Sequence, residues 1–304
     1  MWQQRRDVQF SPQGIFKALQ HNATPDEIAP ALFSCLQCGA CDRLCPENID
    51  ITGMITTHRK AAFLQGANAA LKEEIESRLA LPTPEIKQEE NIIVLAGEAL
   101  RATPATLKRV LALLSDETNA ALAMDDGDDI ALALEAGIEV SDHRLHAFLE
   151  PLQGAKRLYI SNGHLLKQLR HWLPATELLA IGHSLSQLDR LTHQLNKDDL
   201  YLIESHAYHL NHSQQLTHYD QLRHQQGCHI NLDLQRNAIP TAGGGLNALQ
   251  PLLDSAEQVR WLLSGRNVQR IIVECAEDGR AMSQHSALPV LHLADLMEHR
   301  TDAQ

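Results

Sequence analysis

A run of closely spaced cysteines near the N-terminus constrains this chain more than any other feature. Four of its six cysteines fall within eleven residues, and Pro46 follows the last of them. The spacing, C-x2-C-x2-C-x3-C-P, is the one by which bacterial ferredoxins hold a [4Fe–4S] cluster. Three thiolates on a tight loop can bind three corners of the cluster, and the small Gly39 lets backbone N–H groups approach its sulfurs. The sequence therefore predicts one [4Fe–4S] cluster, bound by Cys35, Cys38, Cys41 and Cys45.

A zinc site or a set of disulfides fits the cysteine run less well. Structural zinc sites usually divide their ligands into two pairs separated by roughly a dozen residues or more, and this run does not. Disulfides are not expected because the first residues, MWQQRR, lack the apolar stretch of a secretory signal. Free cysteines beside a cluster motif fit a reducing cytoplasm, which is the location that we predict.

The charge and hydropathy of the chain limit its partners. Acidic residues outnumber basic ones, 38 to 26, and the formal net charge of −12 would repel nucleic-acid phosphates. No apolar run approaches the roughly 18 residues of a membrane span. We therefore predict no nucleic-acid partner, and membrane association only through another protein.

The pattern of helix and strand signals divides the chain into four parts. Residues 1–80 contain the cysteines and carry helix caps such as Ser11-Pro12, which predicts a helical region. Within it, the charges at His58, Arg59 and Lys60 indicate a helix face exposed to solvent. Residues 81–90 hold two prolines and three acids, which is typical of a linker. Residues 91–195 and 196–304 alternate strands with helices, and matching elements are about 110 residues apart. Strands are predicted, among others, at Ile92–Ala96, Arg157–Ser161, Leu200–Ile203 and Arg270–Glu274. The predicted fold class is an α-helical ferredoxin-like N-terminal module followed by two tandem α/β units.

The cysteine run and its flanking residues resemble a known family. From Phe10 through Ile49-Asp50-Ile51 to Arg59, the chain is similar to the connecting helix and second ferredoxin motif of heterodisulfide reductase-like iron–sulfur subunits. Glycolate oxidase, anaerobic glycerol-3-phosphate dehydrogenase and lactate-utilisation systems contain such subunits. The resemblance implies a helical cluster domain followed by two tandem units, each expected to carry a Cys-Cys-Gly motif.

The sequence departs from this family mainly by missing thiols. None of the 34 residues before Cys35 is a cysteine, so the first ferredoxin motif is absent. The resemblance places the two Cys-Cys-Gly motifs at Asp125-Asp126-Gly127 and at Thr241–Gly245, which contain no cysteine. His209 stands at the end of a segment that ends in cysteine in the family. A late C-x2-C motif of the family keeps only one cysteine here, Cys275. Clusters at those positions would need several thiolates. We therefore expect both units to be degenerate scaffolds, with no catalytic residue.

The identity of the fourth cluster ligand stays open. In two-cluster ferredoxins the fourth cysteine of one run binds the other cluster, and this chain has one run only. Cys45 is the nearest donor and the predicted ligand. The alternatives are Cys228, Cys275, a cysteine of a partner, or an open iron corner.

Several further groups of residues are compatible with either a structural or a functional role. His206, His209 and His212 would share a helix face, which allows a metal site, but a polar His-rich region is the simpler prediction. Gly243–Gly245 lacks the flanking residues of a phosphate-binding loop, which favours a tight turn. The acidic residues at 125, 126, 128 and 129 lack the spacing of an EF-hand calcium site, which favours a turn exposed to solvent. Cys228 and Cys275 are predicted to be buried.

These features predict an iron–sulfur electron-transfer subunit of an oxidoreductase complex. Its cluster would relay electrons from a flavoprotein or a quinone-linked subunit, and the chain would position the cluster without transforming a substrate. The alternative is a non-catalytic assembly or sensor protein whose cluster is structural or labile.

Overall fold

Five helices surround the cysteines at the N-terminal end of the chain. The protein is described by a computed structural model over residues 7–82, 90–115 and 120–300, with side chains to residue 297. The Ser11 hydroxyl accepts a hydrogen bond from the Gly14 N–H and Asp50 accepts one from the Gly53 N–H, so both residues act as helix caps. The helices are α1 (Pro12–Gln20), α2 (Ala29–Phe33), α3 (Ala40–Leu44), α4 (Ile51–Leu64) and α5 (Ala69–Leu79), preceded by a 3-10 turn at Val8–Phe10.

A first four-stranded parallel sheet follows, with the strand order β2-β1-β3-β4. Its strands are β1 (Ile92–Leu95), β2 (Ala121–Leu122), β3 (Arg157–Ile160) and β4 (Glu177–Ala180). The helices between and after them are α6 (Gly97–Arg101), α7 (Pro104–Leu114), α8 (Asp128–Ala136), α9 (Asp142–Leu149), α10 (Gly163–Trp172), α11 (Ile181–Ser186) and α12 (Asp189–Thr192), with a 3-10 turn at Glu150–Leu152. All four residues of β1 are buried, as expected of a central parallel strand covered on both faces.

The second sheet repeats this arrangement, with the order β6-β5-β7-β8 and all strands parallel. Its strands are β5 (Asp199–Leu202), β6 (His229–Ile230), β7 (Arg270–Val273) and β8 (Val290–His292). The accompanying helices are α13 (Ser205–Leu210), α14 (His212–Gln226), α15 (Gly245–Leu249), α16 (Ser255–Leu263) and α17 (Ala276–His285), and a 3-10 helix occupies Leu293–Arg300. In each sheet the chain adds its second strand on one side of the first strand and its third strand on the other side, so the direction of winding reverses between the first and third strands. Ligands of open parallel sheets bind at the carboxyl ends of the two strands on either side of such a reversal.

The predicted fold class is wrong in its first part. The chain is a mixed α/β structure with two parallel sheets, and its N-terminal helices do not form a separate ferredoxin-like module. Leu32 and Ile55 of these helices share one apolar core with Ala133 and Ala136 of α8 and Leu246 of α15. Short helices expose too much apolar surface to close a core by themselves, so they bury it against both sheet-bearing regions.

The two sheet-bearing regions also share a core. Val94 and Val110 of the first pack in one cluster with Tyr201, Tyr219 and Ile272 of the second.

The predicted domain ranges 1–80, 91–195 and 196–304 stay a prediction, and residues 83–89 of the predicted linker lie outside the described residues. Across the described ranges, no helix combines the length and the apolar character that a membrane crossing requires.

Candidate metal centre at the cysteine loop

The loop between α2 and α3 turns sharply and brings three thiols to one cavity. Gln37 and Gly39 adopt left-handed backbone conformations, with φ of 49° and 81°. Glycine has no side chain to oppose this conformation, which explains its use before α3. A cavity of about 220 Å³ is lined by Cys35, Cys38 and Cys41 together with apolar side chains that include Phe10, Ile15, Ile55 and Trp261. Cys45 follows α3 and does not line this cavity.

The three cavity thiols interact electrostatically. Desolvation raises the pKa of Cys38 to about 11 and that of Cys41 to about 12, and repulsion between the thiolates adds to both effects. Desolvation also raises the pKa of Cys35, and the positive charge of Arg59 opposes that increase. Thiols in such surroundings hold their protons at neutral pH, so a metal that binds them as thiolates must displace protons.

Backbone N–H groups already approach two of the sulfurs. The Gln37 N–H lies 3.4 Å from Cys35 Sγ, and the Ala40 N–H bonds to the sulfur of Cys38. Hydrogen bonds of this kind to cluster sulfurs are among the features that set a reduction potential.

Arg59 of α4 holds the start of the loop from inside the protein. Its guanidinium is fully buried and donates to the carbonyl oxygens of Leu32, Cys35 and, at 2.6 Å, Glu135. The Glu135 carboxylate lies 3.9 Å away and supplies the opposite charge. The prediction of a solvated face was therefore wrong for Arg59, although Lys60 is exposed and pairs with Glu139.

Two histidines of α13 hold the middle of the loop from the second sheet. His206 donates through Nε2 to the Leu36 carbonyl at 3.0 Å and through Nδ1 to Glu204 at 2.8 Å. His209 donates through Nδ1 to the Cys38 carbonyl at 2.8 Å. Desolvation by itself lowers the pKa of His206, but the hydrogen bond and charge of Glu204 outweigh it and raise that pKa to about 9.

A small polar chamber lies beneath the loop, at the carboxyl ends of β3, β5 and β7. It has a volume of about 40 Å³ and is lined by Leu36, His164, Glu204, Cys275 and Glu277, among others. Desolvation raises the pKa of Glu277 to about 7. Gly243–Gly245 forms one wall, and a Cβ on Gly244 would lie 1.7 Å from Glu277 Oε2, so these glycines serve close packing.

The acidic residues after β2 are not a solvated turn, and that prediction was wrong. Asp126 is buried, accepts from the Ala96 N–H at 2.9 Å and pairs with Arg101. Arg144 binds Asp129 at 2.6 Å and Asp125 at 2.8 Å. No local pattern indicated these pairs, because each arginine is distant along the chain from its acid.

The remaining cysteines lie elsewhere. Cys228 and Cys275 are 2% and 8% exposed, which confirms the prediction that they are buried. Cys228 lines a surface groove beside β6, and Cys275 lines the chamber beneath the loop. Neither lines the cavity that holds the other three thiols.

The loop is not preassembled to hold a metal ion. Nowhere in the described part of the chain are three or more His, Cys, Asp or Glu side chains already arranged to hold a metal ion. The [4Fe–4S] cluster and its four predicted cysteines therefore stay a prediction. Comparison with known protein families, curated proteins and solved structures finds no match to this chain.

Proposed function

We propose that this chain is an iron–sulfur electron-transfer subunit of an oxidoreductase complex in the cytoplasm. Cys35, Cys38 and Cys41 would bind one [4Fe–4S] cluster, and Cys45 is the fourth ligand predicted from the sequence. The observation that carries the proposal is the position of three thiols on one apolar cavity, at ferredoxin spacing. Free thiols and cluster chemistry favour a reducing compartment.

The chemistry of the donors supports iron–sulfur rather than zinc. Soft thiolates bind both, but a structural zinc site closes with four ligands from two separated pairs, and the cavity presents three thiols from one short loop. The backbone N–H groups of Gln37 and Ala40 already point at two sulfurs, as they do around bound clusters.

When bound, a cluster would supply one-electron transfer. The chain's own residues would bind it and fix its position. Arg59 and His206 hold the carbonyls of Cys35 and Leu36, which restrains the backbone that carries the first of the thiols. Such restraint limits the rearrangement that accompanies a change of charge at the site.

The position of the cavity is suited to a relay. Trp261 and Ile239 form part of its wall and also line an open surface groove of about 1020 Å³. A cluster in the cavity would therefore share part of its wall with a groove on which a partner could dock. We propose a flavoprotein or a quinone-linked subunit as that partner.

Anaerobic reconstitution with iron and sulfide tests the proposal. We expect about four irons per chain and an EPR signal after reduction with dithionite. Cys38→Ser should abolish the signal. Cys275→Ser removes a buried thiol outside the cavity and is the matched control, which should retain it.

The relay role is tested on the same reconstituted protein. Repeated reduction by a photoreduced flavin and reoxidation should leave the iron content unchanged. Zinc binding without iron would refute the cluster. A cluster that is lost on the first redox cycle would favour the assembly or sensor alternative.

A further inference from the structure

A basic surface groove lies next to the thiol cavity in a chain that is acidic overall. The groove has a volume of about 1020 Å³, and three arginines line it, Arg223, Arg236 and Arg266. Among the described residues that line the groove, Asp233 has the only carboxylate. With histidine neutral, three arginines and one aspartate give the lining a net charge of +2, whereas the whole chain carries −12. A partner with an acidic face would therefore be repelled by the chain as a whole and attracted to this groove.

Two of the lining charges show that the groove does not neutralise itself. The Asp233 carboxylate accepts hydrogen bonds from the backbone N–H and the side-chain amide of Asn237, at 2.8 Å and 3.0 Å, so it is held within its own loop. Arg266 donates to the Leu262 carbonyl, and no carboxylate in the described ranges pairs with it. Burial lowers the pKa of Arg266, and no acidic group opposes this effect. The groove therefore holds a half-buried cation without a counter-charge.

The other two arginines share a single acid. Asp220 lies 3.6 Å from Arg223 and 2.9 Å from Arg236, so one negative charge serves two positive ones. Both arginine side chains are more than a third exposed and can reach carboxylates of another molecule. Complementary charges across an interface speed the encounter and fix its orientation.

An apolar side chain stands beside the arginines on a loop that is held in place. Leu234 lines the groove and is fully exposed. Its loop is closed by an antiparallel bridge between Leu232 and Ala238, and the Tyr208 hydroxyl donates to the Arg236 carbonyl at 2.9 Å. A loop that is ordered before binding loses little conformational freedom on binding. Leu234 therefore contributes to association when a partner removes it from water.

The same loop connects the groove with the cysteine site. Arg43 of α3, two residues after Cys41, donates to the side-chain oxygen of Asn237. Trp261 and Ile239 line both the groove and the thiol cavity. A molecule seated in the groove would therefore lie against a wall of the thiol cavity.

The features of the groove fit a protein better than a small molecule or a nucleic acid. A small-molecule pocket buries most of its ligand, whereas Leu234 stands fully in water at this groove. The net charge of −12 opposes the approach of a phosphate backbone. An acidic protein face satisfies the arginines and covers the leucine at once.

We propose that this groove is the docking surface for the redox partner, and that the partner presents Asp and Glu side chains around an apolar pocket that receives Leu234. The inference rests on the proposed function, because it assigns a surface to the electron donor. Arg223, Arg236 and Arg266 orient the partner, so that its cofactor faces the side of the groove that the thiol cavity shares.

Hydrogen exchange of the full chain tests the surface without requiring a cluster. The probe is flavodoxin, a flavoprotein with an acidic surface, added at low ionic strength and followed by mass spectrometry. We expect slower exchange of amides in residues 227–239 and 261–266, which include the groove lining. The protection should weaken as salt is added, because salt screens exposed charges.

The rate of cluster reduction measures the contribution of the charges. In reconstituted protein, Arg236→Gln combined with Arg266→Gln should slow reduction by flavodoxin hydroquinone about tenfold at low salt, and Leu234→Ser should slow it as well. Arg260→Gln removes one positive charge from the same helix as Trp261, outside the groove, and is the matched control that should keep the wild-type rate. Photoreduced lumiflavin, which is small and uncharged, should reduce all these proteins equally.

The possible failures of the two proposals are distinguishable. Equal flavodoxin rates in the arginine variants and in Arg260→Gln, with no protection of the groove, would overturn the inference, and reduction by lumiflavin would leave the proposed function standing. A wild-type dimer that Leu234→Ser dissociates would assign the groove to a second copy of the chain and would also overturn the inference. Wild-type protein that binds no iron would overturn the proposed function, and with it the role of the groove in electron transfer.

Discussion

The two sheets have the same strand order but carry different side chains at their carboxyl ends. After β1 and β2, Asp126 and Asp129 are neutralised by Arg101 and Arg144. After β5, His206 and His209 reach out of the sheet and bind carbonyls of the cysteine loop. The same strand order therefore carries ion pairs after β1 and β2 and loop-binding histidines after β5, because the residues that follow the strands decide what each sheet does.

The largest effect should come from Arg59, the side chain that joins Glu135 of the first sheet-bearing region to the start of the cysteine loop. Arg59→Met would leave Glu135 buried without its counter-charge and the carbonyls of Leu32, Phe33, Cys35 and Glu135 without their donor. Removing one partner of a buried pair costs roughly 3–5 kcal/mol, so we expect a large fall in the urea midpoint and loss of iron binding. Lys60→Met, the next residue along α4, removes an exposed pair that contributes little to stability and is the control. Equal midpoints for the two variants would show that Arg59 does not hold the loop.

A substitution confined to the first sheet tests whether the two carboxyl ends act independently. Arg144→Met would leave Asp125 and Asp129 without their cation, and the Arg144 side chain is 8% exposed. We expect the free energy of unfolding to fall by about 2–4 kcal/mol. Iron content, measured after reconstitution, should not change, because this network does not touch the cysteine loop. Loss of iron in this variant would mean that the two ends are coupled.

The second sheet-bearing region should lose stability at alkaline pH because of His206. The folded pKa of His206 is about 9, above the 6.5 of the unfolded chain, so the folded state binds more protons between these values. This contribution is fully present below about pH 6.5 and is lost as the pH rises through 9, with an upper limit of about 3 kcal/mol. Glu204→Gln, which removes the charge that raises the pKa, should flatten this part of the curve of unfolding free energy against pH. A curve with the same slope in Glu204→Gln would assign the effect to another group.

The smallest effect is expected in the wall of the chamber. Gly244→Ala would place a Cβ 1.7 Å from Glu277 Oε2, so the carboxylate must move. Overpacking of this kind costs roughly 1–3 kcal/mol. Gly154→Ala, where the added Cβ meets nothing within 4 Å, is the control and should leave the thermal midpoint unchanged. Similar losses in both variants would show that the chamber wall is not tightly packed.

The sequence predicted local elements well and their assembly poorly. Strands expected at Ile92–Ala96 and Arg270–Glu274 are found at Ile92–Leu95 and Arg270–Val273, because a short apolar run specifies a buried strand by itself. The burial of Arg59 could not be predicted, since its partners at 32 and 135 are distant in sequence and nothing in α4 marks it as different from its charged neighbours. The three-residue spacing of His206 and His209 was a usable signal, but the sequence did not show which part of the chain they would face.

The contacts of the loop also bear on the order of events during biosynthesis. The cysteines leave the ribosome before His206 and His209, which hold the loop carbonyls and follow about 170 residues later. Until those residues fold, the loop lacks two of its supports and the thiols are open to oxidation. Under the proposed function, we therefore expect iron delivery to a chain in which α13 has folded, and a chain cut short before residue 205 should be a poor acceptor.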